Sequence, residues 1–271
     1  MGIRLPDTDH RRAVLAGLAG RLGEAWLGCS RIADLRDAEI PSSREEAYFV
    51  ADLMARQVGE EISGWKVGAT SALMRERDGH SDVIPGRIFR SVTWEGGEAA
   101  LPVERFRDAR VEAEFAFRVS ADVTTAEIED PRRMAGIAVL HPAVEIIGNR
   151  FLASDLTAEQ NSLMTVADNG GGIGFVFGAP VEDWQGLDLL NHDVRISVDG
   201  GPPTDNFLGS MRGPPLPSLC DLARHLAGRG YHVRAGDFVS TGAACVPQPV
   251  GRGSCVTADF GMLGSINVRF V

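Results

Sequence analysis

No apolar run in the chain approaches the ~20 residues needed to cross a bilayer. The stretch from Met1 to Arg12 is polar and charged and lacks the apolar segment of a secretory signal. Cysteine is scarce: Cys29, Cys220, Cys245 and Cys255 form neither a CxxC pair nor a metal-type spacing. They read as incidental thiols of a reducing, cytoplasmic compartment. Basic residues are outnumbered, 27 Lys and Arg against 37 Asp and Glu, for a net charge of −10. That balance argues against nucleic acid or an anionic membrane as the main partner. It leaves an anionic small substrate open, because a bound metal reverses the local field. Internal repeats and low-complexity tracts are also missing. What remains is 271 residues of ordinary globular composition, 44% hydrophobic and 24% charged, enough for one large or two small domains.

The stretch Arg110-Val111-Glu112-Ala113-Glu114-Phe115-Ala116-Phe117 reads as a strand. Val111, Ala113, Phe115, Phe117 and Val119 share one face at period two. Arg110, Glu112, Glu114, Ala116 and Arg118 share the other, which sets two carboxylates ~7 Å apart along the backbone. On spacing alone, a solvated face with Arg110 and Arg118 as partners accounts for the pair. A second run, Leu140-His141-Pro142-Ala143-Val144-Glu145-Ile146-Ile147, holds one Glu among apolar residues, where an unpartnered carboxylate is costly. Three carboxylates on two core strands suit a hard divalent cation, Mg²⁺ or Mn²⁺.

Apolar spacing predicts helices over 11–27 and from the capping box Ser43-Arg44-Glu45-Glu46 to Gly59. Further helical signals lie at 131–138, 157–166 and 217–227, the last with Ser218 and Asp221 as an N-cap pair. Residues 70–86 are polar and loop-like. Strand signals lie at 62–68, 87–90, 109–119, 143–148, 174–178, 193–199, 237–241, 254–260 and 265–271. Strands and helices do not alternate regularly, which opposes a Rossmann or barrel arrangement and favours an α+β fold. The expected division is a helical N-terminal region at 1–75 followed by a catalytic domain at 76–271.

Lys66 shares a strand face with Gly64 and Gly68. Small neighbours leave room for a ligand to approach its ammonium, although a lysine reaching to water fits the same pattern. Asp168-Asn169-Gly170-Gly171-Gly172 follows a helix and precedes a strand, the reverse of the dinucleotide context, and no Walker lysine follows. It reads as a tight turn that brings backbone close to something. Thr241-Gly242-Ala243 lies beyond a strand end, where N–H groups are placed to hold a carboxylate.

Several segments together resemble one family. Gly64-Trp65-Lys66-Val67-Gly68-Ala69-Thr70-Ser71 is similar to its lysine strand, Val111 to Phe117 to its Val-Glu-x-Glu-x-Ala-Phe strand, and Pro142 to Ile147 to its third-ligand strand. Asp168-Asn169 with its glycines, Gly236-Asp237 through Thr241-Gly242, and Ala258 through Ser265 match later segments. The chain resembles the 2-keto-4-pentenoate hydratase and 4-oxalocrotonate decarboxylase branch of the fumarylacetoacetate hydrolase superfamily. The resemblance implies a mixed, β-roll-like C-terminal domain behind a small helical part. It further implies a divalent metal on Glu112, Glu114 and Glu145, an active-site lysine at Lys66, and homo-oligomers. Asp168 is then a candidate for handling a proton or orienting water, and Thr241 and Gly242 for binding substrate.

The implied substrates are small 2-oxo or 2-hydroxydienoic acids, and the leading reaction is hydration to a 4-hydroxy-2-oxo acid. Decarboxylation of the 4-oxalocrotonate type, acylpyruvate C–C hydrolysis and a catalytically silent partner subunit are the alternatives. Two departures bear on the choice. Where the family's hydratases carry Pro-Asp-(Phe/Tyr)-Gly, this chain has Val83-Ile84-Pro85-Gly86, with Asp82 nearby. Its Thr-Gly-Ser segment is Thr241-Gly242-Ala243. His80 is the only histidine in the polar loop, which keeps the hydrolase open.

Overall fold

A computed structural model describes residues 8–152 and 155–271. Residues 1–7 of the polar N-terminal stretch lie outside the described residues. Two helices come first, α1 (Asp9–Leu27) and α2 (Arg44–Val58). Ser43 caps α2 by accepting from the Glu46 N–H. The Glu46 carboxylate reaches back to the N–H of Ser42 and clamps the Arg11 guanidinium of α1. Gly59 ends α2 in the left-handed region, at φ 65°. The capping chemistry therefore also ties the two helices to each other.

The strands follow in chain order: β1 (Ile62–Gly68), β2 (Ile84–Phe89), β3 (Thr93–Glu95), β4 (Glu98–Leu101), β5 (Arg110–Val119) and β6 (Ala138–Ile147). Then come β7 (Gly172–Phe177), β8 (Arg195–Val198), β9 (Phe238–Ala243), β10 (Gln248–Pro249), β11 (Cys255–Asp259) and β12 (Ser265–Phe270). The large sheet is mixed, with the order β2-β1-β9-β5-β6-β7-β3 and β10 on β5. The smaller one has the order β4-β12-β11-β8. Between β1 and β2 lies α3 (Ala72–Asp78), and later come α4 (Thr125–Glu129), α5 (Pro131–Ile137), α6 (Ala158–Ala167) and α7 (Pro215–Gly228). No described helix is long and apolar enough to cross a membrane. The fold is α+β, as expected.

The strand expected at 62–68 is present as β1, and it is an inner strand of the large sheet, between β2 and β9. Some details differ from the sequence reading. The polar stretch at 70–86 contains α3, capped by Ser71 and ended by Gly79 at φ 72°, and the first residues of β2. Its local capping signals were masked by low hydrophobicity. Helix α7 begins at Pro215, one turn before the expected Ser218 cap. Ser218 instead donates to the Pro214 carbonyl from within the helix, because proline at the first helical position already supplies a start.

On β5, the face of Val111, Ala113, Phe115, Phe117 and Val119 is entirely buried. The helices are anchored to the sheet by a buried carboxylate. Asp52 of α2 receives Arg87 of β2 at 2.6 Å and Arg229, just after α7, at 2.9 Å. The Arg87 guanidinium also lies over the Trp65 and Tyr231 rings.

Gly64 is where β1 and β9 come together most closely: a Cβ there would lie 2.0 Å from the Phe238 carbonyl oxygen. Gly17 lies inside α1 with nothing within 4 Å of such a Cβ. Gly64→Ala is expected to cost about 1–3 kcal/mol in urea unfolding, by forcing the strands apart. Gly17→Ala is expected to gain about 0.5–1 kcal/mol. Equal midpoints for both variants would contradict this strand packing.

Candidate metal centre and cavity

The antiparallel register of β5 on β6 pairs Glu112 with Glu145 and Glu114 with Ala143. Period-two alternation puts all three carboxylates on one side of the sheet. One oxygen from each of Glu112, Glu114 and Glu145 lies within 4.8 Å of the others. Glu114 is 1% and Glu145 2% exposed, so the solvated-face reading does not hold for Glu114, while Glu112 is half-buried. Burial, followed by the neighbouring Glu145 charge, raises Glu112 to about 7, with Lys66 and Arg110 pulling the other way. The same causes, with Glu112 added, hold Glu114 well above the usual carboxylate range.

The donor set fits a hard divalent cation. Three carboxylates gathered in a low-dielectric site repel one another unless a cation or protons intervene. Glu145 Oε1 is buried and accepts no hydrogen bond. Glu114 is oriented by the protein: its Oε2 accepts from Ser240 Oγ at 2.5 Å and from the Gly242 N–H at 3.0 Å. Ser240 was not singled out from sequence. Its only signal was its place in a strand whose partner was unknown.

Lys66 on β1 brings its ammonium to 3.4 Å from Glu145 Oε1. The lysine is 5% exposed, so it does not reach to bulk water. Glycines surround its stem. A Cβ at Gly68 would lie 3.2 Å from Lys66 Nζ, one at Gly170 3.0 Å from its Cε, and one at Gly172 2.5 Å from Glu145 Oε1. The glycine-rich turn at 170–172 therefore brings its backbone against Lys66. Asn169 fixes that turn by accepting from the Arg87 N–H and donating to the Arg87 carbonyl, both at 2.8 Å.

Lys66, Glu112 and Gly242 open onto a cavity of about 410 Å³. Ile84 and His80 also line it. His80 Nδ1 lies 2.7 Å from Ser162 Oγ of α6. Arg31, Arg77 and Arg110 bring positive charge to the same lining; Arg31, far upstream of the lysine strand, carried no sequence signal. Asp82 instead caps the Val83 N–H.

Two candidate residues are placed apart from this lining. Asp168 is fully buried, with Oδ2 accepting the Arg150 N–H at 2.6 Å and Oδ1 3.2 Å from Arg150 Nε. Burial raises its pKa to about 6 against the pull of Arg150. Thr241 donates its hydroxyl to the Phe115 carbonyl at 2.6 Å. The Gly242 N–H, expected to meet a substrate carboxylate, is directed at Glu114.

No protein-family model matches the chain. It is 26% identical over 255 residues to a 2-keto-4-pentenoate hydratase of Paraburkholderia xenovorans (strain LB400), covering 93% of each chain. It is 28% identical over 271 residues to a 4-oxalocrotonate decarboxylase of Pseudomonas putida, covering 97% of this chain and 99% of that one. Its structure superposes on the 4-oxalocrotonate decarboxylase from Pseudomonas putida G7, complexed with magnesium and adipate, with a TM-score of 0.83 at 26% identity, covering 96% and 98% of the two chains. With the carboxylate triad and the lysine strand in place, the chain is similar in sequence and in fold to 2-keto-4-pentenoate hydratases and 4-oxalocrotonate decarboxylases, and its structural neighbours include fumarylacetoacetate hydrolase family proteins.

Proposed function

We propose that the protein is a divalent-metal-dependent hydratase that adds water to a small 2-hydroxy-2,4-dienoate or 2-oxo-enoate, giving a 4-hydroxy-2-oxo acid. The observation that carries this reading is the enclosed trio Glu112, Glu114 and Glu145, with Lys66 beside it, opening onto a cavity of small-substrate size. Hydratases among the relatives support it. The magnesium and calcium complexes of the structural neighbour support a divalent cation on the triad, and Mg²⁺ or Mn²⁺ is the reading adopted here.

A cation held by the three carboxylates supplies a Lewis acid for the 1-carboxylate and 2-oxo oxygens of the substrate. Glu114 is kept in place for that task by Ser240 and the Gly242 N–H. The Lys66 ammonium, fixed among glycines, is a donor for negative charge developing on the 2-oxo oxygen, or a carrier of the proton that moves during ketonisation. His80, held against Ser162, is the group in the lining best suited to place water toward C4. Asp168 serves this site at one remove, by holding the segment that leads into the 170–172 turn. Ile84 makes part of the lining apolar, which suits an uncharged tail.

Arg31, Arg77 and Arg110 favour a second reading, decarboxylation of a diacid, because guanidinium groups in the lining suit a distal carboxylate. Product analysis separates the two. With Mg²⁺, a 2-hydroxyalkadienoate is expected to yield the 4-hydroxy-2-oxo acid, and 4-oxalocrotonate little CO₂. Rapid CO₂ release from the diacid without hydration of the alkyl substrate would replace the first reading by the second.

Glu145→Gln is expected to weaken Mg²⁺ binding at least about tenfold in calorimetric titration, since a charged ligand is lost. Unchanged affinity would remove the triad from the metal site. The pH dependence has a defined sign. Glu112 and Glu114 hold protons more tightly than ordinary carboxylates, so a metal must displace them. Apparent affinity in the wild type is expected to fall by about tenfold or more from pH 8 to pH 6; a flat profile would contradict the shared site.

Lys66→Met is expected to leave folding and metal binding largely intact and to lower turnover by ~10²-fold or more. Wild-type turnover in this variant would return Lys66 to a packing role.

A further inference from the structure

A second, smaller cleft of about 40 Å³ adjoins the cavity at Arg31 and Asn149. Four guanidinium groups line it, those of Arg31, Arg105, Arg107 and Arg150, together with Trp26 and Cys29. Arg150 is 5% exposed. Its Nε and Nη2 are fully buried and make no hydrogen bond. Asp168 forms a buried ion pair with Nε at 3.2 Å, without hydrogen-bond geometry, and leaves Nη2 without a partner; Asp108 is engaged with Arg31 at 2.5 Å. Glu60 is 4.0 Å from Arg105 and accepts from Trp26 Nε1 at 3.2 Å. Arg107 has no ion pair or hydrogen bond among the described residues.

Trp26 organises these cations. The guanidinium carbons of Arg150 and Arg105 lie 4.4 and 5.4 Å from its ring centroid, within the range of cation–π attraction. Gathering like charges on one ring costs energy, and unmet buried donors cost more. Both costs fall if an oxyanion lies among the guanidiniums, whose planar forks match paired oxygens. The volume equals that of on the order of three waters. That is too small for a dienoic acid and large enough for a group of four or five heavy atoms.

We propose that this cleft binds a small oxyanion, either inorganic or the carboxylate of a short acid, through Arg150, Arg105 and Arg107. The site is separate from the carboxylate triad and touches the main cavity through Arg31 and Asn149, so its occupancy is placed to influence that wall. The test is calorimetric titration of the intact, Mg²⁺-saturated protein with sulfate, bicarbonate and acetate, at ionic strength held constant with chloride. At least one anion is expected to bind saturably at millimolar concentration or below. The strongest responder identifies the source: sulfate or bicarbonate for an inorganic anion, acetate for an organic one.

Arg107→Ala is expected to weaken binding about fivefold or more, and Arg105→Gln with Arg107→Ala at least about twentyfold, with circular dichroism unchanged. Glu145→Gln, which disrupts the proposed metal centre, is expected to leave this binding intact, so failure at one site is distinguishable from failure at the other. Absence of saturable binding, or equal affinity in the double variant, would overturn the proposal. So would a double variant that changes the sedimentation coefficient while the wild type binds none of the three anions, which would assign the cluster to a contact between subunits.

Discussion

The rest of the structure answers to one electrostatic problem: three carboxylates, Glu114 and Glu145 buried and Glu112 half-buried, held within 4.8 Å of one another on one sheet face. Left alone they would repel and take up protons, and the raised pKa values of Glu112 and Glu114 express that tendency. The surroundings supply positive charge and directed donors. Lys66 approaches Glu145 Oε1, which accepts no hydrogen bond, and Ser240 and the Gly242 N–H donate to Glu114. A site arranged in this way is suited to a divalent cation, whose charge would relieve the repulsion and, under the proposed function, serve a 2-oxo acid.

Such a site must be held firmly, and much of the fold does that work. Lys66 keeps its position because no side chain fits at Gly68, Gly170 or Gly172 without displacing it or Glu145. The turn that carries two of those glycines is pinned twice where it begins. Asn169 joins it to the backbone of β2, and Asp168 joins it to Arg150. Asp52 in turn ties β2 to the helical layer through Arg87 and Arg229. Side chains distant from the chemistry thus hold the geometry of the cavity.

The cavity lining combines two tendencies. Ile84 and Met74 are apolar, whereas Arg31, Arg77 and Arg110 are cationic. Under the proposed function the triad and Lys66 suit hydration and decarboxylation of a 2-oxo acid alike, so the choice between them rests on the remaining lining. His80, beside Ser162, is the histidine of that lining.

The shared face of Glu112 and Glu114, the strand that carries Lys66 and the α+β class were legible in the sequence because they rest on local periodicity. Alternation along β5 puts Glu112 and Glu114 on one face whatever that strand pairs with, and an apolar run marks Glu145 as costly unless partnered. Strand pairing was not legible. The register of β5 on β6 brings Glu145 opposite Glu112, and the pairing of β5 with β9 delivers Ser240 and Gly242 to Glu114. Asp168 shows the same limit: its sequence neighbourhood suggested chemistry, while folding buried it against Arg150. Thr241 and Ser240 are adjacent in sequence, yet the strand's alternation sends one hydroxyl to the Phe115 carbonyl and the other to Glu114. The four-arginine cleft lay wholly beyond sequence reading, because Arg31, the Arg105 and Arg107 pair, and Arg150 come from three separated segments that only tertiary packing draws together. Period and burial preference are properties of a segment and can be read from it. Register and the meeting of distant side chains depend on long-range pairing, which no single segment encodes.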